Sequence, residues 1–266
     1  MKFVCRVKVF FFLCLFSASV VVQAPCQSKS AATTAHAPSL MQPPAAGQVW
    51  SLRQSSILLG DFDVLVGVSG LRASCKRSGI TFVSRPPLWQ PIGFSGRSQS
   101  VWYTTAAQFH PAEALMKSLS VFGGIPNVSN IPLHKRGRKV VYGLDCLDMA
   151  TDEKYAAAQL VQCKQGYISN LQARSAEYQG AQLGLPAPVL TMLENIYGLP
   201  HGNTLPLFFR YINFNHGVKL ILMTKSCSVT TPANDWLAVP SGLKKVSSFQ
   251  ELQMDAGAKS GIENLF

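Results

Sequence analysis

Five histidines in 266 residues leave few places for acid–base chemistry, and two of them sit where functional groups concentrate. His201 lies in Gly198-Leu199-Pro200-His201-Gly202-Asn203, and His216 in Asn213-Phe214-Asn215-His216-Gly217. Glycine and amide flanks mark loops, and imidazole titrates nearest neutral pH of any unperturbed side chain. Asp145 and Asp148, in Asp145-Cys146-Leu147-Asp148, follow an apolar run. Paired carboxylates push each other's proton affinities apart, as hydrolytic acid–base work requires. These residues outline a secreted hydrolase that uses a loop histidine with an aspartate. Cys146 or Cys163 beside either histidine would instead supply a thiolate nucleophile. Plainer readings stand next to these. Asn203 and Asn215 favour left-handed backbone, so both histidine loops are also good tight turns. The two aspartates equally well solvate a strand-to-helix turn.

His110 and Glu113 have the i, i+3 spacing of two metal ligands. Pro111 opens a helix between them, however, and a Glu at that place reads as a reciprocal cap. No H-E-x-x-H, G-x-S-x-G, C-x-x-C or glycine-rich phosphate-binding pattern occurs. No metal and no cofactor is therefore expected.

The charge pattern is more specific. The chain carries 24 Lys and Arg against 13 Asp and Glu. From Val64 to Leu144 there are ten basic residues and one acid, Glu113. The densest run is His134-Lys135-Arg136-Gly137-Arg138-Lys139, and acids gather just downstream at Asp145, Asp148, Asp152 and Glu153. Lys135, Arg136, Arg138 and Lys139, with Lys76 and Arg77, are the candidate binding residues for an anionic partner. The plain alternative for the run is a solvated basic turn leading into a strand.

Compartment decides which anion is met. Lys2, Arg6 and Lys8 precede a fourteen-residue apolar stretch, Val9–Val22, closed by Val22-Gln23-Ala24. That is a signal-peptide pattern, and it is short of the ~20 residues a membrane-spanning helix needs. No transmembrane segment is expected after it. Export favours an anionic envelope polymer or an acidic partner protein over nucleic acid, for which no aromatic-interleaved motif appears. Cys26 raises a lipid-anchored alternative, although Gln23, Ala24 and Pro25 fit a lipidation site poorly. Export also means an oxidising compartment. Of the three pairings open to four cysteines, loop length favours Cys146–Cys163 and Cys75–Cys227.

The elements that must hold these groups follow from periodicity. Residues 25–48 are rich in Ser, Ala and Pro and read as a flexible tether between a signal peptide, 1–24, and a single domain, 49–266. Short β-like runs at Val64–Val68, Ile80–Val83, Ser100–Thr104, Lys139–Tyr142 and Val218–Met223 are separated by turn residues. Helices are expected behind Pro111, between Pro188 and Tyr197, and briefly over Phe249–Met254. The strongest helical segment is 151–183. Thr151 can cap it, Asp152 and Glu153 suit its first turn, and Leu160, Tyr167, Ile168, Leu171 and Tyr178 recur at helical spacing. The expected fold is α+β, a mixed sheet with that long amphipathic helix at its centre. An apolar share of 47% with 14% charged residues excludes wholesale disorder. The expected function is that of an exported, non-catalytic binding protein with a basic face. The hydrolase and a lipid-anchored component of an envelope assembly are the alternatives.

Overall fold

Gly, Ser and Pro punctuation between short alternating runs produces strands joined by tight turns. The computed structural model describes residues 40–119, 128–166 and 172–258. Its first six strands are β1 (Val49–Ser56), β2 (Gly60–Gly67), β3 (Gly70–Cys75), β4 (Ile80–Ser84), β5 (Ile92–Ser95) and β6 (Ser100–Tyr103). Each pairs antiparallel with the next. A second meander comprises β7 (His134–Val141), β8 (Leu144–Ala150), β9 (Ala173–Ala181), β10 (Leu205–Asn213) and β11 (Val218–Thr230). β1 pairs with β11 and fuses the two meanders. With β12 (Lys244–Val246), the result is one 12-stranded sheet in the order β12-β6-β5-β4-β3-β2-β1-β11-β10-β9-β8-β7.

Among the described strands, β12 alone runs parallel to its neighbour, β6. The segment between β11 and β12 makes this possible by crossing the outer face of β3–β6. Arg72 donates to the Trp236 carbonyl at 2.9 Å, and Val239 and Leu243 pack on Val83, Phe94 and Val101. Gly70 lets this segment come close, since a Cβ there would lie 2.6 Å from Leu237 and 2.8 Å from the Ser84 carbonyl oxygen. Covered on both faces, β4 is buried along its whole length.

The other face carries the main core. Helices α1 (Pro111–Leu119), α3 (Ala187–Tyr197) and α4 (Phe249–Ala258) lie there, α1 against α3 and α4, α3 against β10, and α4 against β5 and β6. Eight of the eleven residues of α3 are buried, and Gly198 at φ 67° ends the helix in a left-handed cap. Burying side chains such as Leu193 and Ile196 stabilises by about 1.5–3 kcal/mol each. α2 (Glu153–Lys164) lies against β9 and buries none of its residues. Among the described residues no helix is long and apolar enough to cross a membrane.

One buried amide ties the seam between the meanders to the helices. Gln54 on β1 is 1% exposed. Its Nε2 donates to the Pro206 carbonyl at 2.7 Å and to Thr224 Oγ1 at 2.9 Å, and its Oε1 accepts from the Tyr197 hydroxyl at 2.8 Å. β1, β10, β11 and α3 thus meet at one side chain.

The expected long helix over 151–183 does not form. α2 stops at Gln165 and Gly166, which has φ 77°, and residues 173–181 are β9, in the middle of the second meander. Ala176 and Tyr178 are buried on that strand, and Tyr178 stands opposite both Met149 and Phe209. Its apolar side chains are read by the sheet at a spacing of two, and the spacing of seven between Leu171 and Tyr178 carries no helical meaning there. The described residues form a large, mostly antiparallel sheet with four short α-helices, and the expected α+β layer with a central helix is set aside. The signal peptide expected over 1–24, Cys26, the tether as far as residue 39, and Tyr167, Ile168 and Leu171 lie outside the described residues. Residues at the end of the expected tether are anchored, Met41 donating its N–H to the Gly143 carbonyl at 2.6 Å.

The expected disulfides Cys146–Cys163 and Cys75–Cys227 are not formed, and all four cysteines are free thiols. Cys75 on β3 and Cys227 on β11 are held apart by β1 and β2. Three strand spacings of ~4.8 Å exceed the ~7 Å limit between bridged Cα atoms. Cys146 is fully buried on β8, its thiol donating to the Leu144 carbonyl at 3.4 Å, while Cys163 rides on the peripheral α2.

Gln54→Leu should lower stability by about 2–4 kcal/mol, because the Tyr197 hydroxyl and Pro206 carbonyl would be left buried without partners. A denaturant midpoint equal to that of the parent protein would remove Gln54 from this role.

Candidate functional site

β7 is the terminal strand of the sheet, and its basic residues face carboxylates on β8. Arg138 forks onto Asp145, with Nε at 2.9 Å from Oδ1 and Nη2 meeting Oδ2. Asp148 takes both Arg136, at 3.2 Å, and Lys139, at 2.9 Å. His134 Nε2 lies 3.4 Å from Asp152 Oδ2, while the other oxygen of Asp152 caps α2 by accepting the Tyr155 N–H at 2.6 Å. The Arg138 hydrogen bonds hold the Asp145 carboxyl below its ordinary value. The expected carboxylate pair and the expected cation patch are therefore two sides of one ladder of ion pairs. Lys135 makes no close ion pair among the described residues, and its charge acts on Asp145 from further off.

Neither histidine joins those aspartates. His201 Nδ1 lies 2.9 Å from Oε2 of Glu194, whose Oε1 accepts the Gly202 N–H at 2.8 Å. Glu194 sits on α3 and is fully buried. Burial pushes its carboxyl above the ordinary value, and the bonds from His201 and Gly202 pull part of the way back. The Glu–His pair pins the loop after α3, beside Tyr178, whose hydroxyl lies 3.1 Å from Thr204 Oγ1. His216 stands in the β10–β11 turn at φ 60°. There its N–H donates to the Asn213 carbonyl at 3.1 Å, and Asn213 Oδ1 accepts from the Gly217 N–H at 2.7 Å. It occupies a tight turn. Of the two candidate thiols, burial pushes Cys146 up to about 11, and Cys163 lies on the peripheral α2. His110 Nε2 lies 3.1 Å from the Ala107 carbonyl, and among the described residues no three His, Cys, Asp or Glu side chains gather as a metal would need.

The remaining sequence candidates, Lys76 and Arg77, fall in the β3–β4 turn, where the sheet collects cations from distant strands. Lys76 Nζ lies 3.1 Å from Asp63 Oδ2, and Arg53 Nε approaches Asp63 Oδ1 at 3.9 Å. Lys225 Nζ is 2.8 Å and 2.9 Å from the two oxygens of Asp61, and holds that carboxyl below its ordinary value. Arg97 reaches across from the β5–β6 turn to the carbonyls of Arg77, at 3.1 Å, and Lys76, at 3.4 Å. Arg53, Lys76, Arg77 and Lys225 thus gather near Asp61 and Asp63, with Arg97 bracing the turn through its carbonyls.

Sequence reasoning misses Arg53, Arg97 and Lys225, because only strand pairing brings them to Lys76 and Arg77. It also misses Glu194, for which a signal existed: it is the lone charge in Val189–Tyr197, a stretch otherwise apolar but for Thr191 and Asn195.

No protein-family model and no curated protein sequence matches the chain. Among solved structures it is similar to a conserved protein of Thermus thermophilus at 7% identity and TM-score 0.33, over 76% of this chain and 91% of that one. PNGF-II is similar at 7% identity and TM-score 0.42, over 79% of this chain and 33% of its own. The MucA/MucB complex of Pseudomonas aeruginosa gives 12% identity and TM-score 0.32, over 76% of this chain and 59% of that one. At TM-scores this low the likeness bears on neither activity nor partner.

The Glu194–His201 pair has a pH signature. A buried carboxyl whose native value is raised favours the neutral form, so its contribution to stability is complete at low pH. That contribution is lost as the pH rises past 4.5 and through the raised native value. Glu194→Gln, which stays neutral, should flatten this part of the curve of unfolding free energy against pH. Parallel curves for parent and variant would count against it.

Proposed function

We propose that the protein is an exported, non-catalytic binding protein that docks through the β3–β4 turn on an anionic component of the cell envelope. One observation carries the reading: among the described residues the four cations Arg53, Lys76, Arg77 and Lys225 gather around two carboxylates, Asp61 and Asp63. On β7, Arg136 and Lys139 share Asp148 and Arg138 takes Asp145, so those three cations face two aspartates and keep an excess of one. Lys135 adds a cation at the far edge of the sheet. Lys76 and Arg77 become the leading contact residues, and Arg136, Arg138 and Lys139 the secondary ones.

Export rests on the basic start, the Val9–Val22 apolar core and the Val22-Gln23-Ala24 cleavage pattern. His201 pairs with Glu194 and His216 sits in a tight turn, so neither candidate histidine meets Asp145 or Asp148 as the hydrolase would need. An exposed cation near an anionic surface contributes about 1 kcal/mol, or roughly fivefold in affinity, and the effect is screened by salt. A compact basic turn is suited to phosphate-bearing polymers or headgroups in which many weak contacts add.

The test is co-sedimentation of the mature protein with vesicles of phosphatidylglycerol and phosphatidylcholine, across a salt series. Lys76→Ala with Arg77→Ala should weaken binding by about an order of magnitude and reduce its salt dependence. The triple change Arg136→Ala, Arg138→Ala and Lys139→Ala should do less. Equal loss from the two sets would move the contact to β7. Indifference of binding to both would sink the anionic-surface reading and leave an acidic protein as the partner to seek.

A further inference from the structure

A second site, separate from the basic turn, opens at the start of α3. Trp89, Pro91, Phe109 and Met192 wall a cavity of about 310 Å³ between α3, the β4–β5 loop and the short turn of 3₁₀ helix at Ala106–Gln108. That is at the small end of the ~300–1,000 Å³ typical of small-molecule pockets. Two polar side chains break the apolar lining. Thr191 and Asn195 are one helical turn apart on α3, and both face the cavity. Asn195 is only 9% exposed. Neither the Thr191 hydroxyl nor the Asn195 amide has a hydrogen-bond partner among the described residues. These polar atoms open into the cavity, where water or a ligand can satisfy them.

Two further features define the occupant. None of the residues lining the cavity is charged, so an ionised head group would lose its water and gain no counter-charge. And Trp89 is held at φ 51°, a sparsely populated conformation for a bulky residue, with its N–H donating to the Arg85 carbonyl at 3.0 Å. Strain of this kind clusters at ligand clamps, and here it presents the indole to the cavity.

We propose that this cavity binds a small neutral molecule with an apolar body, an aryl or short branched group, and a single hydroxyl or carbonyl. The polar atom meets the Thr191 hydroxyl and the Asn195 amide, which between them can donate and accept. The apolar body packs on Trp89, Phe109 and Met192.

Calorimetric titration of the full mature protein with three matched probes tests this. 4-Propylphenol should bind saturably at one site, more tightly than propylbenzene, and 4-propylbenzoate should bind most weakly. Thr191→Val and Asn195→Leu keep the shape of the cavity and remove its polar groups. Together they should weaken 4-propylphenol about tenfold while leaving propylbenzene unchanged or tighter, which also shows that the pocket is intact. Thr191→Val alone, a near-isosteric change, should show part of the same selective loss. Lack of saturable 4-propylphenol binding by the parent protein overturns the site. Benzoate binding as tightly as the phenol overturns the neutral ligand. Retained preference for the phenol in the double variant, or equal loss of both uncharged probes, overturns the assignment of Thr191 and Asn195.

Discussion

The pairing of β1 with β11 is the constraint on which the rest depends. Each meander is built from hairpins between neighbours in sequence, and each alone would expose a long unpaired edge at β1 or β11. Fusing them removes both edges and creates a continuous face broad enough to cover α1, α3 and α4. Gln54 makes the seam specific. Its amide satisfies a β10 carbonyl, a β11 hydroxyl and an α3 tyrosine together, so sliding β1 by one residue would turn Gln54 to the wrong face and break all three bonds. Tyr142, at the tip of the β7–β8 hairpin, donates to the carbonyl of the same Thr224 and ties the far hairpin to the seam.

The distribution of charge follows from the sheet as well. β7 is an edge strand, and an exposed edge invites pairing with another chain. Lys and Arg side chains and a local bulge discourage such pairing, and β7 has both, its register shifting between Lys135 and Gly137. Its basic run therefore has a structural cause that is independent of any ligand, and Asp145 and Asp148 of β8 partly neutralise it. The β3–β4 turn lies at no edge, and its cations outnumber the carboxylates near them. A run of like charge in a sequence is weak evidence for a binding surface until the facing strand is known.

What the sequence made legible was local. Runs such as Ile80–Val83 and Val218–Met223 are strands in the structure, and the helix between Pro188 and Tyr197 ends at Gly198, because alternation, proline and glycine act within a few residues. The segment 151–183 misled for the same reason. Its first turn carries real helix signals, at Asp152 and Glu153, and nothing local marks the change to a strand beyond Gly166. Ala173–Ala181 becomes β9 because β8 and β10 flank it, a tertiary decision. The candidate sites divide likewise. The turn around His216 could be read from its Asn and Gly neighbours. Lys225 meeting Asp61 across 164 residues could not, nor could the cavity, whose walls come from three separate stretches of chain.

The long-range seam sets the order in which such a chain can fold. A chain emerging from its N-terminus can complete β1–β6 early, since every pairing in that meander closes a short loop. The free edge of β1 must then wait for β11, whose residues pair with it from more than 160 positions away in sequence. Loop closure over such a span is entropically costly and slow. The opposite edge, at β6, stays open longer still, until the strap behind β11 delivers β12 beside it. For that interval the half-made sheet carries two bare edges, the state in which strands find partners on other chains. A chain of this topology gains from delaying its pairing until all the strands of the described sheet are present.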